Sequence, residues 1–79
     1  DMVMVKPGMP YLDIISLVKN KFQTPVIAYQ VSGEYSMLMN SIKSKIIDEK
    51  SILESLMSFK RAGATSIVTY FAHNMSKYL

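Results

Sequence analysis

No cysteine occurs in these 79 residues. A disulfide framework, a thiolate metal site and a cysteine nucleophile are therefore excluded from the chain itself. Strong charge of one sign is lacking too. The net charge is only +3, and Lys19, Lys21, Lys43, Lys45, Lys50, Lys60 and Lys77 are scattered along the chain. A nucleic-acid interface calls for a basic patch interleaved with aromatics, so no nucleic-acid partner is expected. No apolar run approaches the roughly 18 residues that span a bilayer. Nor does a basic segment precede an apolar one at the start, as in a secretory leader. The expectation is a soluble, non-secreted protein without a membrane partner. The lone histidine, His73, sits beside Asn74 at a polar exit, and neither catalysis nor metal binding is expected of it.

Against these absences stands one stretch, Met2-Val3-Met4-Val5-Lys6-Pro7-Gly8-Met9-Pro10. An apolar, β-branched run ends in a lysine, and a Pro-Gly-x-Pro turn follows at once. Both prolines lack an N–H and fix φ, so a strand here stops where the lysine is. Alternation puts Met2, Met4 and Lys6 on one face, with Val3 and Val5 on the other. An amine at the end of an apolar face is costly to keep charged, and a lowered pKa is what an imine-forming lysine needs. At its unperturbed pKa only about 0.04% of a lysine amine is neutral at pH 7.

The rest of the chain alternates helical and extended patterns. Tyr11, Ile14, Ile15, Val18 and Phe22 recur at helical spacing, with Pro10 in the first turn and Lys19 and Lys21 near the end. Gln23-Thr24-Pro25 breaks that helix. Residues 26–31 read as a second strand, nearly continuous in apolar character, closing in a flexible Ser32-Gly33-Glu34 turn suited to an anion. Tyr35, Leu38, Met39 and Ile42 repeat at helical spacing. A further helix is capped by Asp48, shows Ile52, Leu53, Leu56, Met57 and Phe59 on its apolar face, and ends at Gly63. Residues 66–71 make a third strand. Residues 72–79 make a short helix with Met75 and Leu79 inward. The seven methionines read as core filler.

Strands alternating with helices imply parallel pairing through crossovers, an α/β fold. Such an array is either a small open sheet or staves of a barrel. Each strand ends in a residue capable of chemistry: Lys6, Ser32 and Tyr70. Parallel strands carry these ends to one C-terminal edge, where (β/α)8 barrels hold their active sites, and that favours the barrel.

Residues 1–13 (DMVMVKPGMPYLD), 28–35 (AYQVSGEY), 59–64 (FKRAGA) and 69–71 (TYF) closely resemble the C-terminal part of porphobilinogen synthase, also called δ-aminolevulinic acid dehydratase. The resemblance runs in order over essentially the whole chain. It implies that residues 1–79 are the C-terminal portion of a single TIM-barrel catalytic domain, assembled as a homo-octamer. The implied activity condenses two 5-aminolevulinate molecules into porphobilinogen, in haem and other tetrapyrrole biosynthesis. The family's VKPG lysine, which forms a Schiff base with the first substrate, corresponds to Lys6. The serine of VSGE and the tyrosine of the last strand, which bind that substrate's carboxylate, correspond to Ser32 and Tyr70.

The resemblance also implies a zinc or magnesium cofactor with ligands outside this chain. The family's second lysine and second-substrate arginines lie outside it as well, as does the N-terminal arm of the oligomer. Localisation in the cytoplasm or a plastid-type organelle is expected. The chain starts at Asp1, directly before a strand, so it is expected to be a piece of a longer protein and inactive alone. The competing reading is a small, non-catalytic α/β binding module.

Overall fold

The computed structural model describes residues 2–75. Its elements are β1 (Val3–Val5), a 3-10 turn (Met9–Tyr11), α1 (Leu12–Phe22), β2 (Val26–Gln30), α2 (Ser32–Lys43), α3 (Lys50–Ala62), β3 (Ser66–Thr69) and α4 (Ala72–Met75). The strands form one parallel sheet in the order β1-β2-β3, which is also their order in the sequence. Val3 pairs with Val26 and Val5 with Ala28; Ile27 pairs with Ser66 and Gln30 with Thr69. Consecutive parallel strands joined by helices are how the staves of a (β/α)8 barrel follow one another. The α/β class and the barrel arc expected from the sequence are what the structure shows.

One face of the sheet carries the core. Val26, Ala28 and Gln30 alternate along β2 and are wholly buried, as are Ile15 of α1 and Leu56 and Phe59 of α3. The two helices pack against each other, and the Ser16 hydroxyl of α1 donates a 2.8 Å hydrogen bond to the Ala62 carbonyl of α3. Burying a side chain the size of Phe59 is worth about 3–5 kcal/mol relative to alanine. The opposite face, with Met4 at 47% and Val68 at 42% exposure, is uncovered by this chain.

Helix ends follow the sequence signals closely. α1 stops at Gln23, in the left-handed region at φ 53°, with its N–H bonded to the Lys19 carbonyl. Gly63, at φ 115°, closes α3 as expected of a glycine there. At the start of α3 the expectation is corrected: the cap position is Glu49, not Asp48, although the Asp48 carboxylate accepts the Lys50 N–H at 2.9 Å.

Four further expectations need correction. The inward face of α1 is Leu12, Ile15 and Val18, while Tyr11, Ile14 and Phe22 are exposed. Periodicity locates an apolar stripe, but only the neighbouring elements decide which edge of it is covered. Met2, Met4 and Met37 are exposed rather than core filler, because they lie on surfaces this chain leaves bare. β2 alternates buried and half-buried positions instead of being covered on both faces. Residues 32–34 are no flexible turn: they are the first turn of α2. The terminal helix is described as Ala72–Met75; the expected inward placement of Met75 and Leu79 lies outside what is described.

Candidate active site at the C-terminal edge

Lys6 follows the last residue of β1 directly, and Tyr70 follows the last residue of β3. Ser32 opens α2, one residue beyond the link from β2. All three expected residues thus stand at one edge of the parallel sheet, with the strand leading to Ser32 between the other two.

The turn after Lys6 is tied to its neighbours by hydrogen bonds and close packing. Lys6–Pro7 is a cis peptide bond. The Gly8 N–H donates to the Tyr29 carbonyl at 2.8 Å. A Cβ on Gly8 would stand 2.7 Å from Phe59 Cε1 and 3.2 Å from the Tyr29 oxygen, so only glycine fits there without displacing a buried ring. From this turn the Met9 N–H reaches the Glu34 carboxylate at 2.8 Å. The other oxygen of that carboxylate accepts the Val31 N–H at 3.0 Å. Glu34 is 6% exposed and clasps the turn after Lys6 to the start of the helix that Ser32 opens.

A second tie joins Ser32 to Tyr70. The Tyr35 ring, on the same first turns of α2, lies 5.5 Å from the Tyr70 ring and 4.6 Å from that of Phe71, both tilted. Such aromatic pairs add about 0.5–1.5 kcal/mol beyond burial. The Tyr29 hydroxyl beside Tyr70 raises the Tyr70 pKa above its ordinary 10.0, first through their hydrogen bond, then through charge repulsion and slight burial.

Beneath the edge runs a buried polar chain. Gln30 donates from Nε2 to the Ser55 hydroxyl at 3.0 Å and to the Met9 sulfur at 3.5 Å. Its Oε1 accepts from the Thr69 hydroxyl at 2.7 Å, and the Thr69 oxygen accepts the Phe71 N–H at 3.1 Å. Gln30 thereby reaches the turn after Lys6, the helix α3 and the end of β3 that bears Tyr70.

The buried setting expected for Lys6 is not present within this chain: its side chain is exposed, because its face of the sheet has no cover here. Sequence reasoning missed Gln30 and Tyr29, and assigned no chemistry to Glu34. The signal for Gln30 was present: it shares the inward face of Val26 and Ala28, where a polar side chain needs partners. For Glu34 the signal was partial, since the third helical position suits a carboxylate, but Val31 cannot complete a capping box. His73 lies exposed in α4. No group of three or more His, Cys, Asp or Glu that could hold a metal ion gathers among the described residues.

Fold and edge together define a stretch of parallel β/α barrel with its chemical groups at the C-terminal mouth. The family model described as Delta-aminolevulinic acid dehydratase matches residues 1–78. Among similar proteins, the delta-aminolevulinic acid dehydratase of Rhodobacter capsulatus is 55% identical over 80 residues, spanning 100% of this chain and 24% of the relative. The chloroplastic delta-aminolevulinic acid dehydratase of Physcomitrium patens is 51% identical over 80 residues, spanning 100% of this chain and 18% of the relative. A crystal structure of delta-aminolevulinic acid dehydratase (porphobilinogen synthase) from Toxoplasma gondii, in complex with the reaction product porphobilinogen, superposes with a TM-score of 0.94. It is 46% identical and covers 100% of this chain and 23% of that one. The chain belongs to the delta-aminolevulinic acid dehydratase family, and it spans about a quarter or less of the length of these relatives.

Proposed function

We propose that this chain supplies the first-substrate half of a porphobilinogen synthase active site, within a polypeptide of the relatives' length that closes the barrel. The observation that carries this reading is the placement of Lys6, Ser32 and Tyr70 at one sheet edge in a chain of this family. The neutral Lys6 amine attacks the ketone of one 5-aminolevulinate; the carbinolamine loses water, and the resulting iminium acts as an electron sink for the later bond-forming steps. Ser32 and Tyr70 hold the substrate's carboxylate, so binding energy orients the imine. The remaining barrel strands cover the open face of the sheet and supply the apolar surroundings that Lys6 lacks here.

The second substrate, the second lysine and the zinc or magnesium ligands belong to the rest of that polypeptide, and no step above passes through a metal. The resemblance supports a homo-oligomer, the octamer, as the working assembly. Among the described residues no helix is long and apolar enough to cross a membrane. The chloroplastic relative supports a plastid-type compartment as one of two expected locations, the cytoplasm being the other.

Borohydride reduction of the full-length protein with 5-aminolevulinate tests the reading. The adduct is expected on the peptide containing Lys6; an adduct found solely on another lysine overturns the assignment. Lys6→Ala and Lys6→Arg should both abolish turnover, since a guanidinium stays protonated and cannot form the imine.

A further inference from the structure

The turn after Lys6 and the helix start that carries Ser32 follow different strands, yet one buried carboxylate holds both. Glu34 spends one oxygen on the Met9 N–H and the other on the Val31 N–H, at 2.8 and 3.0 Å. Its own position is fixed by α2, and as an anion in the first turn it is favoured by the helix dipole. Both bonds are charge-assisted, roughly twice as strong as neutral ones. The segment from Lys6 to Met9 behaves as a unit, because Pro7 fixes one torsion and Gly8 is tied to the Tyr29 carbonyl under the Phe59 ring. A shift of Met9 is therefore passed to Lys6. Val31 is bonded directly to Ser32, so a shift of Val31 is passed to the hydroxyl.

We propose that Glu34 is a positioning residue that sets the span between the Lys6 amine and the Ser32 hydroxyl, and so selects a ketone bearing a carboxylate at the matching distance. The proposal rests on the reading of Lys6 and Ser32 given above and deepens it. Glu34 touches no substrate in this account. It acts through two backbone N–H groups, and its effect is read as selectivity between ligands, not as activity alone.

The test uses the full-length protein carrying this chain and two probes of equal length. One is 4-oxopentanoate, the substrate without its amino group; the other is pentan-2-one, the same skeleton with a methyl in place of the carboxylate. Each is trapped on Lys6 with borohydride, and the ratio of trapping rates measures the preference for the keto acid. In Glu34→Gln, one N–H meets an amide NH2 instead of an oxygen. That variant is expected to lose about tenfold of the preference, the scale of one charged hydrogen bond, while trapping of pentan-2-one hardly changes. Glu34→Asp keeps the charge but is one methylene too short to serve both loops. It is expected to show an intermediate loss, and it reads the same quantity where Glu34→Gln does not fold. An unchanged preference in Glu34→Asp, or an equal fall for both probes in step with a lower Tm, overturns the role assigned to Glu34. Absence of any Lys6 adduct in the unsubstituted protein overturns the function proposed for Lys6, and this inference with it.

Discussion

Gln30 Oε1 accepts a 2.7 Å hydrogen bond from the Thr69 hydroxyl, and Gln30 is wholly buried. The bond crosses from β2 to β3 one residue before Tyr70, while the amide nitrogen of the same side chain faces Ser55 and Met9. A polar side chain at this depth stays only because its atoms are partnered. It fastens the strand that carries Tyr70 to the turn that follows Lys6.

Gln30→Leu is therefore expected to destabilise the full-length protein by about 1–3 kcal/mol, the cost of leaving buried partners unpaired. Thr69→Val should cost a comparable amount, since it also strips the Phe71 N–H of its acceptor. Urea midpoints of the two single variants and the double variant check this. The double variant should fall short of the sum, because the two side chains share a bond.

Gly8→Ala tests the packing of the lysine turn. The new methyl would stand 2.7 Å from Phe59 Cε1, so the ring or the turn must move. Overpacking of this kind costs about 1–3 kcal/mol. Activity should fall with stability, and Phe59→Leu in the same protein should restore part of both. A Gly8→Ala protein with unchanged midpoint and turnover would show that the contact is not tight.

On the proposed function, Ser32→Ala and Tyr70→Phe each remove one hydroxyl from the grip on the substrate carboxylate, a loss of roughly 1.5–3 kcal/mol. The KM for 5-aminolevulinate should rise about ten- to a hundredfold, and Lys6 should still form its adduct at high substrate concentration. Steady-state kinetics of each variant decide this, and an unchanged KM in both would remove the pair from the site.

The Tyr29 hydroxyl keeps Tyr70 protonated beyond its ordinary 10.0. A raised folded-state pKa stabilises the fold below the unfolded value, and this contribution is lost as pH rises from 10.0 through the folded value. Tyrosinate absorbance followed against pH should show one tyrosine titrating late, and Tyr29→Phe should return it toward its ordinary value. A titration unaltered by Tyr29→Phe would contradict the pairing.

These 79 residues alone are expected to self-associate or to refold into something more helical. Their parallel sheet ends in β1 on one side and β3 on the other, and its uncovered face shows Met2, Met4 and Val68 to solvent. A barrel hides such edges only by closing. Sedimentation of the isolated peptide checks this; a soluble micromolar monomer with a cooperative melt would be the contrary result. No porphobilinogen formation is expected from it.

Much of this protein was legible in the sequence, for reasons that are local. Pro7 and Pro10 end β1 because they cannot donate to a ladder, Gly63 ends α3 because it accepts a positive φ, and helical spacing marks Leu56 and Phe59 as inward. The VKPG and VSGE segments carried the family, and the strand–helix alternation carried the placement of Lys6, Ser32 and Tyr70 at one sheet edge. Tertiary structure alone decided which edge of the α1 stripe is covered, for burial depends on neighbours that periodicity does not name. It also joined Met9 to Glu34 across 25 residues and Gln30 to Thr69 across 39. Hydrogen bonds between distant residues leave no spacing in a chain, because parallel pairing, not local torsion, brings their partners within reach.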